Sequence, residues 1–464
     1  MRWAALTALF IFAGCGRAHF SSLSDGGADG DGVDASPDAD VRPRHEVDAA
    51  LVPSSGVGFF YGWSVATSGD GTRVVVGAPG AAANAGAAFV WHYDGSAWTQ
   101  EGLLSAADML MDDQLGASVA IDSDGTTVVV GADHADGAPD DNSGAAYVFE
   151  RIGTTWSQTF KLRAKVPNPS DHFGASAAIS ADGSTIAVGA AGEDGVAGGV
   201  DADPTMLGTF DEGAVYLFKR AGATWTQTHY VKPPTPSEDQ FFGTSVALSS
   251  NGAVLAVGAP HEDTQTGAIY VIEADVPTTT RLAANNASVG DNAGFSIGMS
   301  GDGRSVIAGA PGEDGAGRGI NSPQDEDGPE SGAAYIFEKT VAWTQVAFVK
   351  TLTSDPSDQV GVSVSMSGDG AHAVVGAVGE TGSAVGRDGI ADNSLNNAGA
   401  VYELERDSSG AWAQKSYIKA LDTTMGDQFG ASCAISFDGF GIVAGSPYRN
   451  GSTGAAYVYL QALD

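Results

Sequence analysis

Asp171-His-Phe-Gly-Ala-Ser-Ala-Ala-Ile-Ser-Ala-Asp-Gly-Ser-Thr-Ile-Ala-Val-Gly-Ala190, followed by Gly213-Ala-Val-Tyr-Leu-Phe218, is a phrase that this chain repeats seven times. Its Asp/Asn-Gly pair falls at Asp70, Asp124, Asp182, Asn251, Asp302, Asp369 and Asp438, at intervals of 51 to 69 residues. Short β-type runs recurring at such a period point to a propeller or array with inserted loops. Within one copy, Phe173 to Ser180 reads as a small, apolar first strand, and Asp182-Gly183 as the hairpin turn that ends it. Thr185 to Val188 makes a second strand, closed by Gly189-Ala190. After a loop of variable length, Gly213 to Phe218 makes a third. Trp225 to Val231, alternating bulky and polar residues, makes an outer fourth.

The other copies keep this order. Third strands are expected at Ala87 to Trp91, Ala145 to Phe149, Ala268 to Ile272, Ala333 to Phe337, Ala400 to Leu404 and Ala455 to Tyr459. Trp98, Trp156, Trp225, Trp343 and Trp412 open outer strands, and a row of this kind packs between neighbouring sheets. Seven four-stranded antiparallel sheets give an all-β fold, a seven-bladed β-propeller that removes exposed edges by closing into a ring. The seventh copy ends soon after its third strand. Glu46-Val-Asp-Ala-Ala-Leu-Val52 lies just before the first copy at nearly the outer-strand spacing, so it is expected to complete the last blade. The propeller then spans residues 46–464.

Fifty-seven acidic against 22 basic residues, a formal net charge of −35, argue against nucleic-acid binding, which needs a basic face. The same charge serves solubility, a cation or a basic partner. Cys433, inside a buried strand, reads as a small core residue. Residues 1–15 read as an export signal: Arg2, an apolar run from Trp3 to Phe12, and Phe12-Ala-Gly-Cys15, which resembles a bacterial lipobox with Phe12 where Leu, Val or Ile is usual. Lipidation at Cys15 would anchor the chain to a membrane rather than span it. This places it at a bacterial cell envelope, on the outer membrane or cell surface, with plain secretion as the alternative. Residues 16–45 are rich in Asp and Gly and read as a flexible acidic tether. Asp29, Asp31 and Asp34 there lack the following Glu of a calcium loop.

Phe-Gly-x-Ser with Val-Gly-Ala-Pro resembles the FG-GAP repeat of integrin α-subunit propellers, also found in bacterial surface proteins. The second half stands at Val76-Gly-Ala-Pro79, Val257-Gly-Ala-Pro260 and Ala308-Gly-Ala-Pro311; the first at Phe173-Gly174, Phe242-Gly243 and Phe429-Gly430. Looser pairs are Tyr61-Gly62, Leu115-Gly116, Ala293-Gly294 and Val360-Gly361, and the resemblance covers the chain after residue 58. In the integrin propellers, calcium-binding blades carry an Asp-rich loop between the first two strands. Here the equivalent loops are Ser-x-Asp-Gly turns, and only Asp122-Ser-Asp124 keeps two carboxylates, so most or all such sites are expected to be lost.

The other acidic clusters fall in loops of the opposite face: Glu193-Asp194, Glu262-Asp263, Glu313-Asp314 and Glu380 between second and third strands, with Asp133, Asp136 and Asp140 in the second copy and Asp325-Glu-Asp327 in the fifth. Asp113, Asp171, Asp239, Asp291, Asp358 and Asp427 precede the Phe-Gly positions. The recurrent Asp either caps a turn or lines a rim that binds cations. Asp122, Asp124 and the three Glu-Asp pairs are thus the metal candidates, with calcium the possible ion. His134 and His261 occupy similar loop positions; a metal role is open to His261-Glu-Asp263, and a solvated loop histidine is the plainer account. No His-Glu-x-x-His, Gly-x-Ser-x-Gly, Cys-x-x-Cys or phosphate loop occurs. The expectation is a monomeric, non-enzymatic binding or scaffold module presenting an acidic loop face to a protein or glycan. The alternatives are a calcium-binding adhesion module, or a hydrolase or lyase acting on polysaccharide or phospholipid through Glu193, Glu313 and Glu380.

Overall fold

A computed structural model describes residues 46–53, 59–136, 141–208, 210–273, 275–276, 278–323 and 327–461. Cys15, the signal and tether over residues 1–45, and Asp140, Asp325 and Glu326 lie outside the described residues.

The repeated phrase folds as seven antiparallel sheets. Blade 3 is Phe173–Ile179, Thr185–Ala190, Ala214–Ala221 and Thr224–Val231, paired in that order. Its fourth strand carries a bulge against the third at Leu217/Phe218. Blade 7 has Ser432–Ile435, Gly441–Ser446 and Ala455–Leu460 from the C-terminal end, and Val47–Leu51 as its outer strand. That strand runs antiparallel to the third, with Val47 opposite Leu460 and Leu51 opposite Ala456, so the clasp expected from the spacing closes the ring. Blade 6 adds a two-residue strand, Gly386–Arg387, outside its fourth.

The seven large hydrophobic clusters each draw on two adjacent blades. Val148 and Leu162 of blade 2 pack with Phe173, Tyr216 and Phe218 of blade 3; Leu51 and Val458 of blade 7 pack with Tyr61, Val76 and Phe89 of blade 1. Stability therefore resides in the seams. The tryptophans contribute there: Trp156 of blade 2 donates Nε1–H to Glu101 of blade 1 at 3.2 Å.

Two closed girdles hold the first strands around the axis. In Phe-Gly-x-Ser, every serine hydroxyl donates to the carbonyl of the motif glycine in the next blade, from Ser64 to Gly116 around to Ser432 and Gly62, at 2.7 to 2.9 Å. The glycine of Val-Gly-Ala leaves room for that approach: a Cβ on Gly309 would fall on the Gly361 carbonyl and the Ser296 hydroxyl. At the hairpin end, the residue after each turn Ser (Asp122 in blade 2) donates its N–H to its counterpart in the next blade. The ring runs 69, 123, 181, 250, 301, 368, 437 and back to 69, at 2.8 to 3.1 Å. Phe437 alone has a large side chain there, and its ring lies over Gly368 and Gly301. At the other end Trp63 and Phe295 pack with Val362, Val378 and Ala431 across blades 1, 5, 6 and 7.

Candidate functional site

Two faces hold the candidate residues. On the hairpin face, Ser180 Oγ donates to Asp182 Oδ1 at 2.7 Å and accepts the Thr185 N–H at 2.9 Å, while Asp182 Oδ1 accepts the Ser184 N–H at 3.0 Å. In blade 2 the carboxylate of Asp122 replaces that serine hydroxyl and accepts the N–H groups of Thr126 and Thr127 at 2.8 and 2.9 Å. Asp124 accepts from the Thr126 hydroxyl at 2.7 Å. Burial, with Asp124 alongside, pushes the Asp122 carboxyl up to about 7. Both carboxylates are engaged by their own turn.

On the opposite face lie the loops between second and third strands. They are long in blades 3, 5 and 6 (residues 191–213, 311–332 and 378–399) and short in blades 1, 4 and 7 (79–86, 260–267 and 447–454). Each long loop begins with a glutamate turned inward. Glu193 accepts from Tyr230 Oη at 2.7 Å, Lys232 Nζ at 2.6 Å and the Gly195 N–H at 3.0 Å. Glu380 accepts from Tyr417, Lys419 and the Gly382 N–H at 2.7, 2.5 and 2.9 Å. Glu313 accepts from Lys350 at 2.5 Å and the Gly315 N–H at 3.0 Å, with Phe348 where the others have tyrosine. All three glutamates are at most 3% exposed. Burial pushes the Lys232 and Lys419 ammonium groups below the usual lysine value, against the pull of the paired carboxylates. The structure does not bring Glu193, Glu313 and Glu380 together: each is held by a lysine of its own blade. In blade 4, Glu262 accepts from Tyr270 Oη at 2.7 Å and Arg281 Nε at 2.5 Å, and Asp263 from Arg281 at 2.8 Å.

The aspartates that follow fasten the loops. Asp194 Oδ1 accepts the Asp211 N–H at 3.0 Å and Asp314 Oδ1 the Glu330 N–H at 2.7 Å, each closing the far end of its loop. The middle of each long loop folds back on the fourth strand. Asp201, Asn321 and Asp388, all at positive φ, accept the N–H of Tyr230, Phe348 and Tyr417 at 3.1, 2.9 and 3.0 Å. The Gly-x-Asp/Asn spacing of Gly199-Val-Asp201, Gly319-Ile-Asn321 and Gly386-Arg-Asp388 was the available signal. For the buried lysines it was Val231-Lys232, Val349-Lys350 and Ile418-Lys419, three basic residues at one repeat position in a chain poor in them.

The aspartates before the Phe-Gly positions cap turns. Asp113, Asp171, Asp291, Asp358 and Asp427 each accept the N–H three residues back at 2.7 to 2.9 Å. Asp239 is a correction: the equivalent position is Gln240, whose Oε1 accepts the Ser237 N–H at 3.2 Å, because that copy has one more residue before its Phe-Gly. Asp171 is buried and its carboxyl is pushed up to about 8, mainly by burial, with Glu193 and Asp194 adding repulsion.

This face also carries aromatic pairs. Phe60 meets Trp63 at 5.7 Å and Tyr448 at 5.6 Å, and Phe241 meets His261 at 4.8 Å. His134 lies edge-on to His172 of blade 3 at 5.0 Å. Burial lowers the His172 pKa below its ordinary value, whereas a hydrogen bond to Asp133 raises that of His134.

Seven four-stranded blades, closed by an N-terminal strand and locked by the Ser-Gly girdle, define a repeat-built β-propeller. The FG-GAP repeat family matches residues 98–149, 156–218, 225–272 and 412–459. Each match starts at an outer-strand tryptophan and ends in the third strand of the following blade. The chain thus carries FG-GAP repeats in four places on a seven-bladed β-propeller. No curated protein matches it. Among solved structures it is similar to Kuenenia stuttgartiensis hydrazine synthase, at 13% identity and a TM-score of 0.53, over 89% of this chain and 100% of that one. A chain of the mitotic checkpoint complex is similar at 14% identity and a TM-score of 0.48, over 96% and 100%. At such identities the first likeness is one of fold alone.

Proposed function

We propose that this FG-GAP β-propeller is a non-enzymatic binding or scaffold module, anchored by lipidated Cys15 at a bacterial cell envelope, which presents its long-loop face to a protein or glycan. The observation that carries this reading is where large apolar side chains stay exposed. Most of them lie in loops of that face, Leu110, Met111, Met206, Leu207, Phe210 and Ile390 among them at 52% to 89% exposed, whereas the hairpin face has Ile152, Val276 and Val341. Exposed apolar groups gathered among polar ones mark interaction surfaces. The motif residues are used up in building the ring, which leaves these loops free to vary. The glutamates expected on an acidic rim are turned inward on lysines, so the face is more mixed in character than composition suggests.

The test is to graft residues 261–266 in place of the long loops of blades 3, 5 and 6. Glu262 aligns with Glu193, Glu313 and Glu380, so the buried lysines keep a partner. The grafted propeller should melt close to the native one yet lose capture of its envelope partner. Undiminished capture would refute the reading. In fractionation of the same cells, Cys15→Ala should move the protein from the membrane to the soluble pool.

A further inference from the structure

We propose that Asp133, His134 and His172 form a site for a transition-metal ion of the zinc type, shared between blades 2 and 3. Their ligand atoms, one carboxylate oxygen and two imidazole nitrogens, lie within 4.8 Å of one another. Asp133 Oδ2 is 3.2 Å from His134 Nδ1 and 3.9 Å from His172 Nδ1. Imidazole with carboxylate is a donor set that suits zinc, and three protein ligands leave a coordination position for water. The two rings are about one-third exposed, at 32% and 33%, so an ion could enter from the loop face.

Comparison among the seven blades separates this cluster from an ordinary acidic loop. At the position of Asp133 the other blades carry Pro79, Ala191, Pro260, Pro311, Val378 and Pro447, all apolar. Asp133 is nonetheless only 6% exposed. Its Oδ1 has no hydrogen-bond partner, and its only salt-bridge neighbours among the described residues are those two histidines. A carboxylate placed where siblings are apolar, with an unmet lone pair, costs stability unless a cation answers it. His172 is aimed by the fold: φ is +54 there and between +52 and +68 at Phe60, Gln114, Phe241, Asn292, Gln359 and Gln428 in the other blades.

The siblings also supply the test variants. His172→Gln takes the residue found in blades 2, 6 and 7, His134→Gly that of blades 1, 3, 5 and 6, and Asp133→Ala that of blade 3. Calorimetric titration of the metal-stripped full chain with zinc should show one tight ion per chain, with calcium as the control for diffuse acidic binding. Each variant should bind zinc at least about tenfold more weakly, and zinc should raise the melting temperature of the native protein alone. Cobalt should give visible d–d bands of nitrogen and oxygen coordination in the native protein and not in H172Q. No zinc uptake, or equal affinity in native and variant chains, would overturn the assignment. A native cobalt spectrum without those bands would overturn it whatever the stability of the variants.

Discussion

Asp171 shows how a repeated residue takes on a local charge history. Its Oδ2 caps the turn at Asn168, as its counterparts do in other blades, but its Oδ1 is buried without a partner. With the carboxyl pushed from the usual 3.8 to about 8, the folded protein keeps a proton that the unfolded chain has released. Stability must therefore fall as pH rises from about 4 to 8. Asp358, pushed up to about 7 by burial, acts in the same direction. Asp171→Asn keeps an oxygen for the Asn168 N–H and removes the titration. Its melting temperature should gain on the native protein as pH rises through that window; parallel melting curves across the window would count against it. The turn-capping role was legible in the recurrence of the aspartate. The proton was not, because it depends on burial and on Glu193 and Asp194, brought close only by folding.

Among elements, the outer strand of blade 7 is the most exposed to test. Leu51 is fully buried in the cluster between blades 7 and 1, and Val47–Leu51 pairs along its length with Ala455–Leu460. Leu51→Ala should cost about 2–5 kcal/mol, read by denaturant melting, and deletion of residues 46–52 more than that. A deletion that melts like the full chain would show the ring closed by other means. Strands were the readily legible level, since alternation and Asp-Gly turns set them almost residue by residue. The long loops were less so. Their inward glutamates, edge-capping Asp201, Asn321 and Asp388, and lysine partners arise from side-chain contacts between segments that are 27 to 39 residues apart. No local pattern encodes such contacts.

At the scale of the whole molecule, closure makes the seams interdependent. Ser432 donates to Gly62 across the seam that Leu51 also supports, while Ser245 donates to Gly294 on the far side of the ring. Removing either hydroxyl strands a buried carbonyl, at a cost of about 1–3 kcal/mol. Leu51→Ala combined with Ser432→Ala should be non-additive, whereas Leu51→Ala with Ser245→Ala should add within about 0.5 kcal/mol. Equal coupling for both pairs would mean that the ring does not respond seam by seam. The number of blades, the strand order and the clasp could be read from the chain, because period, turn chemistry and apolar alternation act over a few residues at a time. What the repeated phrase is for emerges from the folded molecule. Its Ser and Gly meet those of the next blade, its glutamates meet lysines of their own blade, and His134 meets His172, through contacts between residues far apart in the chain that exist only once the blades have folded and packed.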